Sequence, residues 1–390
     1  MNPIAIFEGL RDIYFRYLDS PFDLRYPDLV AERRQLLDMD GRLYRHPLIE
    51  PVPAYQSSGQ TFSQVAHAAL GAHWTPAQIT ALVAMVNAGI FPATRELYMH
   101  QREVFEQSVV HGRDVVVTTG TGSGKTECFL LPIVASLVRE SATWATQGPR
   151  NPRWDWWNPV HRTGRIWPPR IPQRSHENIA TRPAAVRALI LYPLNALVED
   201  QLARLRDGLD GPAARAWFHS NRAGNRFYFG RYTGRTPVSG SRSTGNTDKL
   251  RHELQEMQSD YQLVAGTPAA RFFQSMDGGE MWSRWDMQDH PPDVLITNYS
   301  MLNISLMRNI EASIFDQTRQ WLATDASRVF HLVVDELHTY RGTPGTEVAY
   351  LIRVLLDRLG LAPGSDQLRI IASSASVAPG AAGLAYLGPV

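Results

Sequence analysis

The sequence predicts an α/β fold: a parallel sheet with helices on both faces, preceded by a small, mostly helical region. Three observations predict it. From Arg95 onward, short apolar runs alternate with amphipathic segments, the pattern of a sheet covered on both sides. One apolar run, Val115–Val117, leads into the glycine-rich stretch TGTGSGKT, Thr119–Thr126. Another, Phe330–Val334, ends in Asp335 and Glu336, at the carboxyl end of a strand, where α/β sheets hold ligands.

In chain order, residues 1–92 read as a helical accessory domain. Phe7–Leu18 and Pro76–Asn87 have helical apolar spacing, with Thr75 as N-cap and Pro76 in the first helical position. Nothing in this region has a catalytic pattern. Residues 93–390 form the second domain. Its strands are expected at Asp114–Thr118, Ala188–Tyr192, Phe227–Tyr232, Val294–Thr297, Phe330–Asp335 and Leu368–Ser373. Helices are expected at Arg102–Val110, Lys125–Arg139, Leu194–Leu209 and Thr346–Leu359. The last carries an apolar stripe of Val348, Leu351, Ile352, Leu355, Leu356 and Leu359, which reads as core. Two basic insertions, 147–183 and 213–251, interrupt the pattern. The first holds Trp154, Trp156, Trp157 and Trp167 among arginines. It is either a surface that stacks the bases of a strand or a proline-rich loop packing its tryptophans on the domain itself.

Composition excludes several classes. A net charge of +1 exerts no general pull on nucleic acid, and the lone Cys128 excludes a disulfide framework or a cysteine-rich zinc site. Acidic residues near the N-terminus argue against a secretory signal, and no apolar run is long enough for a membrane span, so the expected location is cytoplasmic, without membrane association. Of 39 basic residues, two are lysine, Lys125 and Lys249. A chain that otherwise writes arginine keeps lysine inside the glycine-rich stretch, where a compact ammonium fits as a point charge.

That stretch has the mechanics of a phosphate loop, with Thr119 in place of the first glycine of G-x-x-x-x-G-K-[ST]. Gly120, Gly122 and Gly124, with Thr121 and Ser123 between them, let backbone N–H groups converge on phosphate oxygens. Lys125 reaches the β- and γ-phosphates, Thr126 offers a hydroxyl to Mg²⁺, and the following helix points its positive end at the anion. Asp335 is the matching Mg²⁺ partner and Glu336 the residue that orients an attacking water. His338 lacks companions at metal-ligand spacing. A kinase, a transporter ATPase and a nucleic-acid motor all use such a loop. No Leu-Ser-Gly-Gly-Gln-like signature supports a transporter.

DELH after an apolar strand, paired with TGTGSGKT, resembles the DExH-box helicases of superfamily 2, whose first loop position accepts threonine. LYMHQ (Leu97–Gln101) resembles the Q motif, which implies that Gln101 reads the adenine edge. LYPLNALVEDQ (Leu191–Gln201) resembles motif Ia, RYTGRT (Arg231–Thr236) the short Thr-Gly motif, and ITNYSML (Ile296–Leu302) motif Ib. The resemblance implies strand contacts by Asn195, Arg231, Thr233, Gly234, Arg235, Thr297 and Asn298. SSAS (Ser373–Ser376) resembles motif III, implying that Ser374 and Ser376, with His338, couple nucleotide state to the strand. The resemblance covers about 95–377, and longer strings look like a bacterial subgroup of large helicases with some anti-phage members.

It implies a RecA-like domain that uses ATP and Mg²⁺ and binds a nucleic-acid strand, DNA favoured over RNA. Such motors stack two RecA-like domains, the second carrying an arginine finger. No second one is expected within these 390 residues. Without that arginine, hydrolysis slows by roughly 10³–10⁵. The alternatives are therefore the ATP-binding half of a split or longer helicase, with a second RecA-like domain on another chain as one candidate partner, or a truncated module that binds ATP and strand with little turnover.

Overall fold

The computed structural model describes residues 2–20, 24–45, 54–120, 122–178, 180–193, 195–340 and 342–375. Thr121 and Ser376 therefore lie outside the described residues. The chain divides into two compact units, Met1–Ala54 and Tyr55–Val390.

The first unit contains helices α1 (Pro3–Asp19) and α2 (Pro27–Leu37). The Asn2 side chain caps α1, and Asp19 at its end binds Arg33, at 2.6 Å, and Arg34, both from α2.

The second unit begins with β1 (Ser57–Thr61), α3 (Phe62–Leu70), α4 (Pro76–Asn87) and β2 (Glu96–Tyr98), the two strands pairing antiparallel. Thr61 and Thr75 each form a capping box with a glutamine three residues on, which sets where α3 and α4 start. Phe62, Leu70, Leu82 and Met85 from these helices share a core with the sheet, so residues 55–92 belong to the second unit and not with α1 and α2. Next come α5 (Met99–Phe105), continued by a π-helical turn at Glu106–Val110, then β3 (Val115–Thr118) and α6 (Lys125–Ser141). The order continues with β4 (Ala188–Tyr192), α7 (Asn195–Leu205), α8 (Pro212–Arg222), β5 (Phe229–Tyr232), α9 (Thr244–Val264), α10 (Arg284–Asp289) and β6 (Val294–Asn298). It closes with α11 (Tyr299–Met307), α12 (Ala312–Ala323), β7 (Phe330–Val334), α13 (Thr343–Leu359) and β8 (Leu368–Ser374).

Strands β3 to β8 form one six-stranded, fully parallel RecA-like sheet in the order β3-β8-β7-β4-β6-β5. Alternation along each strand decides which face a residue serves. Ala188, Ile190 and Tyr192 of β4 enter the core shared with α6, while Leu189 and Leu191 enter the one shared with α12 and α13. The α13 stripe lies in that second core, with Ile352 at its margin.

The stretch 213–251 is not a plain insertion. It contains α8, the edge strand β5 and the start of α9. Helix α9 buries only Leu250, Arg251 and Leu254, too sparse a stripe for periodicity to reveal.

Part of the basic stretch 147–183 is also internal. Trp156 and Trp157 are 1% and 0% exposed and pack with Leu250, Leu254, Met276, Trp282 and Trp285 in a third core. For Trp156 and Trp157 the packing reading holds, since rings enclosed on all sides offer no face to a base, while Trp154 and Trp167 are half-buried. Four of its seven arginines, Arg150, Arg170, Arg174 and Arg182, pair with acids. Arg182 reaches Glu177 at 2.7 Å and Asp293 at 2.7 Å, and Arg174 binds Glu177 at 2.6 Å. Arg187 joins Asp293, at 2.9 Å, to Glu140 of α6, at 2.6 Å. Asp293 precedes β6 and Arg187 precedes β4, and the Asp293 carbonyl accepts from the N–H groups of Arg187 and Ala188. Burial acts most strongly on the Asp293 carboxyl and raises its pKa, but Arg182, Arg187 and Arg174 together hold it below the usual carboxylate range.

A depressed carboxylate pKa stabilises the fold above the unfolded value, about 3.9, and that stabilisation disappears as pH falls through the folded value. Asp293→Asn leaves two buried guanidiniums short of a partner. The expected loss in urea unfolding at pH 7 is about 3–5 kcal/mol, with a flatter decline of stability in acid than wild type. Equal stability of the two proteins at pH 7 would show that the network carries no weight.

Candidate nucleotide and strand site

The phosphate loop joins β3 to α6. Gly122 and Gly124 have φ of +78° and +75°, the left-handed region that glycine enters without a Cβ clash. At Gly124 the fit is closed further, because a Cβ there would sit 2.2 Å from Nε2 of Gln101. Gln101 is buried behind the loop, its Nε2 donating to the Gly124 carbonyl at 3.0 Å and its Oε1 accepting from the Tyr98 N–H at 3.0 Å. In this state its amide braces the loop. His100 contacts the Ser123 carbonyl at 2.9 Å, and Thr119 and Ser123 join hydroxyls at 2.7 Å. The Lys125 ammonium donates to the Thr119 carbonyl at 3.2 Å.

Sequence reasoning missed three aromatic neighbours of the loop. Tyr98 and His100 stack at 5.7 Å, and Tyr55 meets both rings at 5.6 and 6.0 Å. The Tyr55 hydroxyl is so near Gly120 that a Cβ there would approach it to 2.7 Å. Tyr98 and His100 were legible as flanks of Gln101. Tyr55, brought in by β1–β2 pairing, had no local signal.

Asp335 and Glu336 follow β7 as the sequence implied. The Asp335 N–H donates to the Leu191 carbonyl at 3.0 Å, and its carboxylate accepts from the Ser373 hydroxyl. Burial dominates its environment and raises its pKa, and Glu336 adds to this. The Ser373 hydrogen bond and the Lys125 charge oppose. Glu336 has φ of +52°, an uncommon conformation for a residue with a Cβ, and turns the chain into the short 3₁₀ turn Leu337–Thr339. That turn sets His338 Nδ1 3.2 Å from Glu336 Oε2 and 3.3 Å from the Ser374 hydroxyl. Ser373 was a member of the motif but not singled out, and it is the serine that touches Asp335.

The other candidates lie at the carboxyl ends of β4, β6 and β5. Asn195 opens α7. Thr233 is buried, its hydroxyl accepting from the Arg235 N–H at 3.3 Å. Thr297 is buried too, and its hydroxyl donates to the Tyr232 carbonyl at 2.8 Å, pinning β6 to β5. Asn298 accepts from the Met301 N–H at 2.8 Å and caps α11. The hydroxyls of Thr233 and Thr297 thus each make a bond inside the fold. Gly234 faces open space, and the Arg235 side chain is 68% exposed.

Helix α7 touches both groups, which sequence reasoning did not see. Gln201 Nε2 donates to the Thr126 hydroxyl at 3.2 Å, and Arg204 reaches Glu127 at 3.3 Å. Glu199 binds Arg231 and lies 3.7 Å from Arg235. Among the described residues no group of three or more acidic, histidine or cysteine side chains could hold a metal alone. An Asp335 carboxylate and a Thr126 hydroxyl nonetheless suit Mg²⁺, which is commonly bound by one or two carboxylates plus substrate phosphates and water.

A glycine loop ending in Lys-Thr, facing an Asp-Glu pair across a parallel sheet, defines an ATP-binding domain of the P-loop type. The DEAD/DEAH box helicase family model matches residues 98–382, and the chain belongs to that family. It is 31% identical to Druantia protein DruE of Escherichia coli (strain UMEA 4076-1), over 96% of this chain and 20% of that protein. It is 24% identical to the uncharacterized ATP-dependent helicase YprA of Bacillus subtilis (strain 168), over 73% of this chain and 23% of that one. The crystal structure of DUF1998 helicase MrfA bound to DNA aligns with a TM-score of 0.42 and 22% identity, over 85% of this chain and 29% of that one. The chain spans about a fifth of the length of the curated relatives it matches.

Gly124→Ala combines a strained φ with a clash against Gln101. It is expected to abolish retention of ATP, measured by equilibrium dialysis, while urea unfolding shows a cooperative fold. Retained ATP affinity would mean the loop tolerates a Cβ there.

Proposed function

We propose that this chain is the ATP-binding half of a nucleic-acid helicase or translocase, in which ATP hydrolysis changes the grip on a strand. The observation that carries the coupling is helix α7, which bonds the candidate Mg²⁺ hydroxyl of Thr126 at Gln201 and ties the arginines of the Thr-Gly stretch at Glu199. In this reading Lys125 leaves the Thr119 carbonyl for the β- and γ-phosphates. Thr126 and Asp335 hold Mg²⁺, which when bound would neutralise phosphate charge. Gln201 fills one acceptor position of the Thr126 hydroxyl and so orients its other lone pair. Ser373 orients the Asp335 carboxylate in the same way. Glu336 holds the attacking water, with His338 and Ser374 linking its carboxylate to β8.

On the strand side, Arg235 and Gly234 present an open surface, and Asn195 and Asn298 mark the neighbouring strand ends. Arg231 and Arg235 exchange Glu199 for strand phosphates. That exchange frees α7 to shift against Thr126, so strand binding reaches the nucleotide through one helix. For the protein as a whole, helicase action, a preference for DNA and an anti-phage role are proposals that follow the resemblance of its longer strings.

The test is steady-state ATP hydrolysis with and without single-stranded DNA or RNA. Stimulation by strand, falling about a hundredfold or more in Lys125→Ala, is the expected result. Hydrolysis equal to that of Lys125→Ala under every condition would overturn turnover by this chain.

Two further variants separate coupling from binding. Replacing both Arg231 and Arg235 by Gln should lower the salt slope of single-strand binding by about 1–2 units. Gln201→Ala should keep strand affinity and lose most of the strand stimulation. Stimulation unaltered in Gln201→Ala would remove α7 from the coupling path.

A further inference from the structure

Gln101 stands at the third position of α5, and both ends of its amide are engaged within the fold. Its Oε1 accepts from the backbone N–H of Tyr98, the residue that precedes the helix, at 3.0 Å. Gln64 in α3 and Gln78 in α4 occupy the same helical position. They make the same bond to the N–H groups of Thr61 and Thr75, both at 2.9 Å. This is the glutamine half of a capping box, and Gln101 plays it in a third helix. With Oε1 held by the cap, Nε2 is left to donate to the Gly124 carbonyl at 3.0 Å.

His100, one residue earlier, does the same for the preceding peptide of the loop. A carbonyl oxygen only accepts, so the His100 Nε2 that lies 2.9 Å from the Ser123 carbonyl carries the hydrogen. Two successive residues of α5 thus hold two successive carbonyls of the phosphate loop. The described chain has no cis peptide, and in a planar trans peptide the N–H points opposite to the C=O. Holding the Ser123 and Gly124 carbonyls toward α5 therefore turns the N–H groups of Gly124 and Lys125 away from it. Successive N–H groups aimed in this way at the start of a helix make an anion-binding concavity.

Reading the adenine edge asks something else of Gln101. It needs the amide turned outward, with donor and acceptor both free. The residue is 1% exposed, and such a turn gives up the α5 cap and the Gly124 bond together. Buried polar groups left without partners are costly, so the inward arrangement is favoured.

We propose that His100 and Gln101 are positioning residues for the triphosphate chain, aiming the Gly124 and Lys125 N–H groups, and that the Gln101 amide does not read the base. The inference rests on the nucleotide site described above. It departs from the role that the Q-motif resemblance implies for Gln101.

The test is calorimetric titration of ATP, GTP and inorganic tripolyphosphate, each with Mg²⁺, into wild type, Gln101→Met and His100→Phe. Methionine keeps the length of glutamine without its donor and acceptor, and phenylalanine keeps a ring without the N–H. Gln101→Met should weaken all three ligands by one factor, about tenfold, leaving the ratio of ATP to GTP affinity at its wild-type value. His100→Phe should also weaken all three alike. A fall confined to ATP in Gln101→Met, with tripolyphosphate unchanged, makes Gln101 a base reader and overturns the proposal. Urea unfolding decides which variant is scored: Gln101→Met if its transition stays cooperative, otherwise His100→Phe, which leaves the α5 cap intact. Unchanged tripolyphosphate affinity in the scored variant overturns the proposal too. Wild type that binds none of the three overturns the nucleotide site itself, a failure distinct from these.

Discussion

The sheet depends on how three arginines are neutralised at its amino-terminal edge. Arg174, Arg182 and Arg187 are buried, and each finds Glu177, Asp293 or Glu140 within 3 Å. A buried guanidinium is tolerable only when paired, so the network constrains position more than it adds net stability. It ties the start of β4 to the start of β6 and to the last turn of α6. Trp144, Tyr228 and Trp321 wall it in, with Arg187 5.0 Å from the Trp321 ring centre and Arg174 4.6 Å from that of Tyr228. With one edge locked, the loops at the carboxyl ends can carry chemistry.

Those loops divide by strand order. The phosphate loop and the Asp-Glu pair follow β3 and β7, and Ser373 and Ser374 end β8, three strands adjacent in the sheet. The candidate strand contacts lie at the carboxyl ends of β4, β6 and β5, the other three. Helix α7 is long enough to touch both groups. Its Glu199 and Gln201 are polar residues that composition alone would place in solvent, yet each has a partner on a different side of the site.

Two constrained positions border the proposed chemistry. Glu336 is one of three residues other than glycine with positive φ among the described residues, and it stands between the Mg²⁺ candidate and His338. Gln101 closes over Gly124 so tightly that no side chain fits there. Both features fix the direction of a carboxylate or an amide that a flexible loop would leave free.

The sequence by itself determined the class of fold, the six sheet strands to within two residues at either end, the phosphate loop and the acid pair. These are local signals: β-branched runs, glycine spacing, and carboxylates directly after a strand. It also read the α13 stripe and the α4 cap, because apolar period and capping chemistry are written in neighbouring residues. Only the tertiary structure decided the rest. Whether Trp156 and Trp157 face solvent depends on α9 and on residues near 282, more than 80 positions away. Whether an arginine is a strand contact or a buried counter-charge depends on acids as remote as Asp293. The Gln201–Thr126 bond and the approach of Tyr55 to Gly120 likewise join segments far apart in sequence. The physical reason is common to all of them: a residue's type and neighbours fix its local conformation, but its partner is set by where the packed elements come to rest.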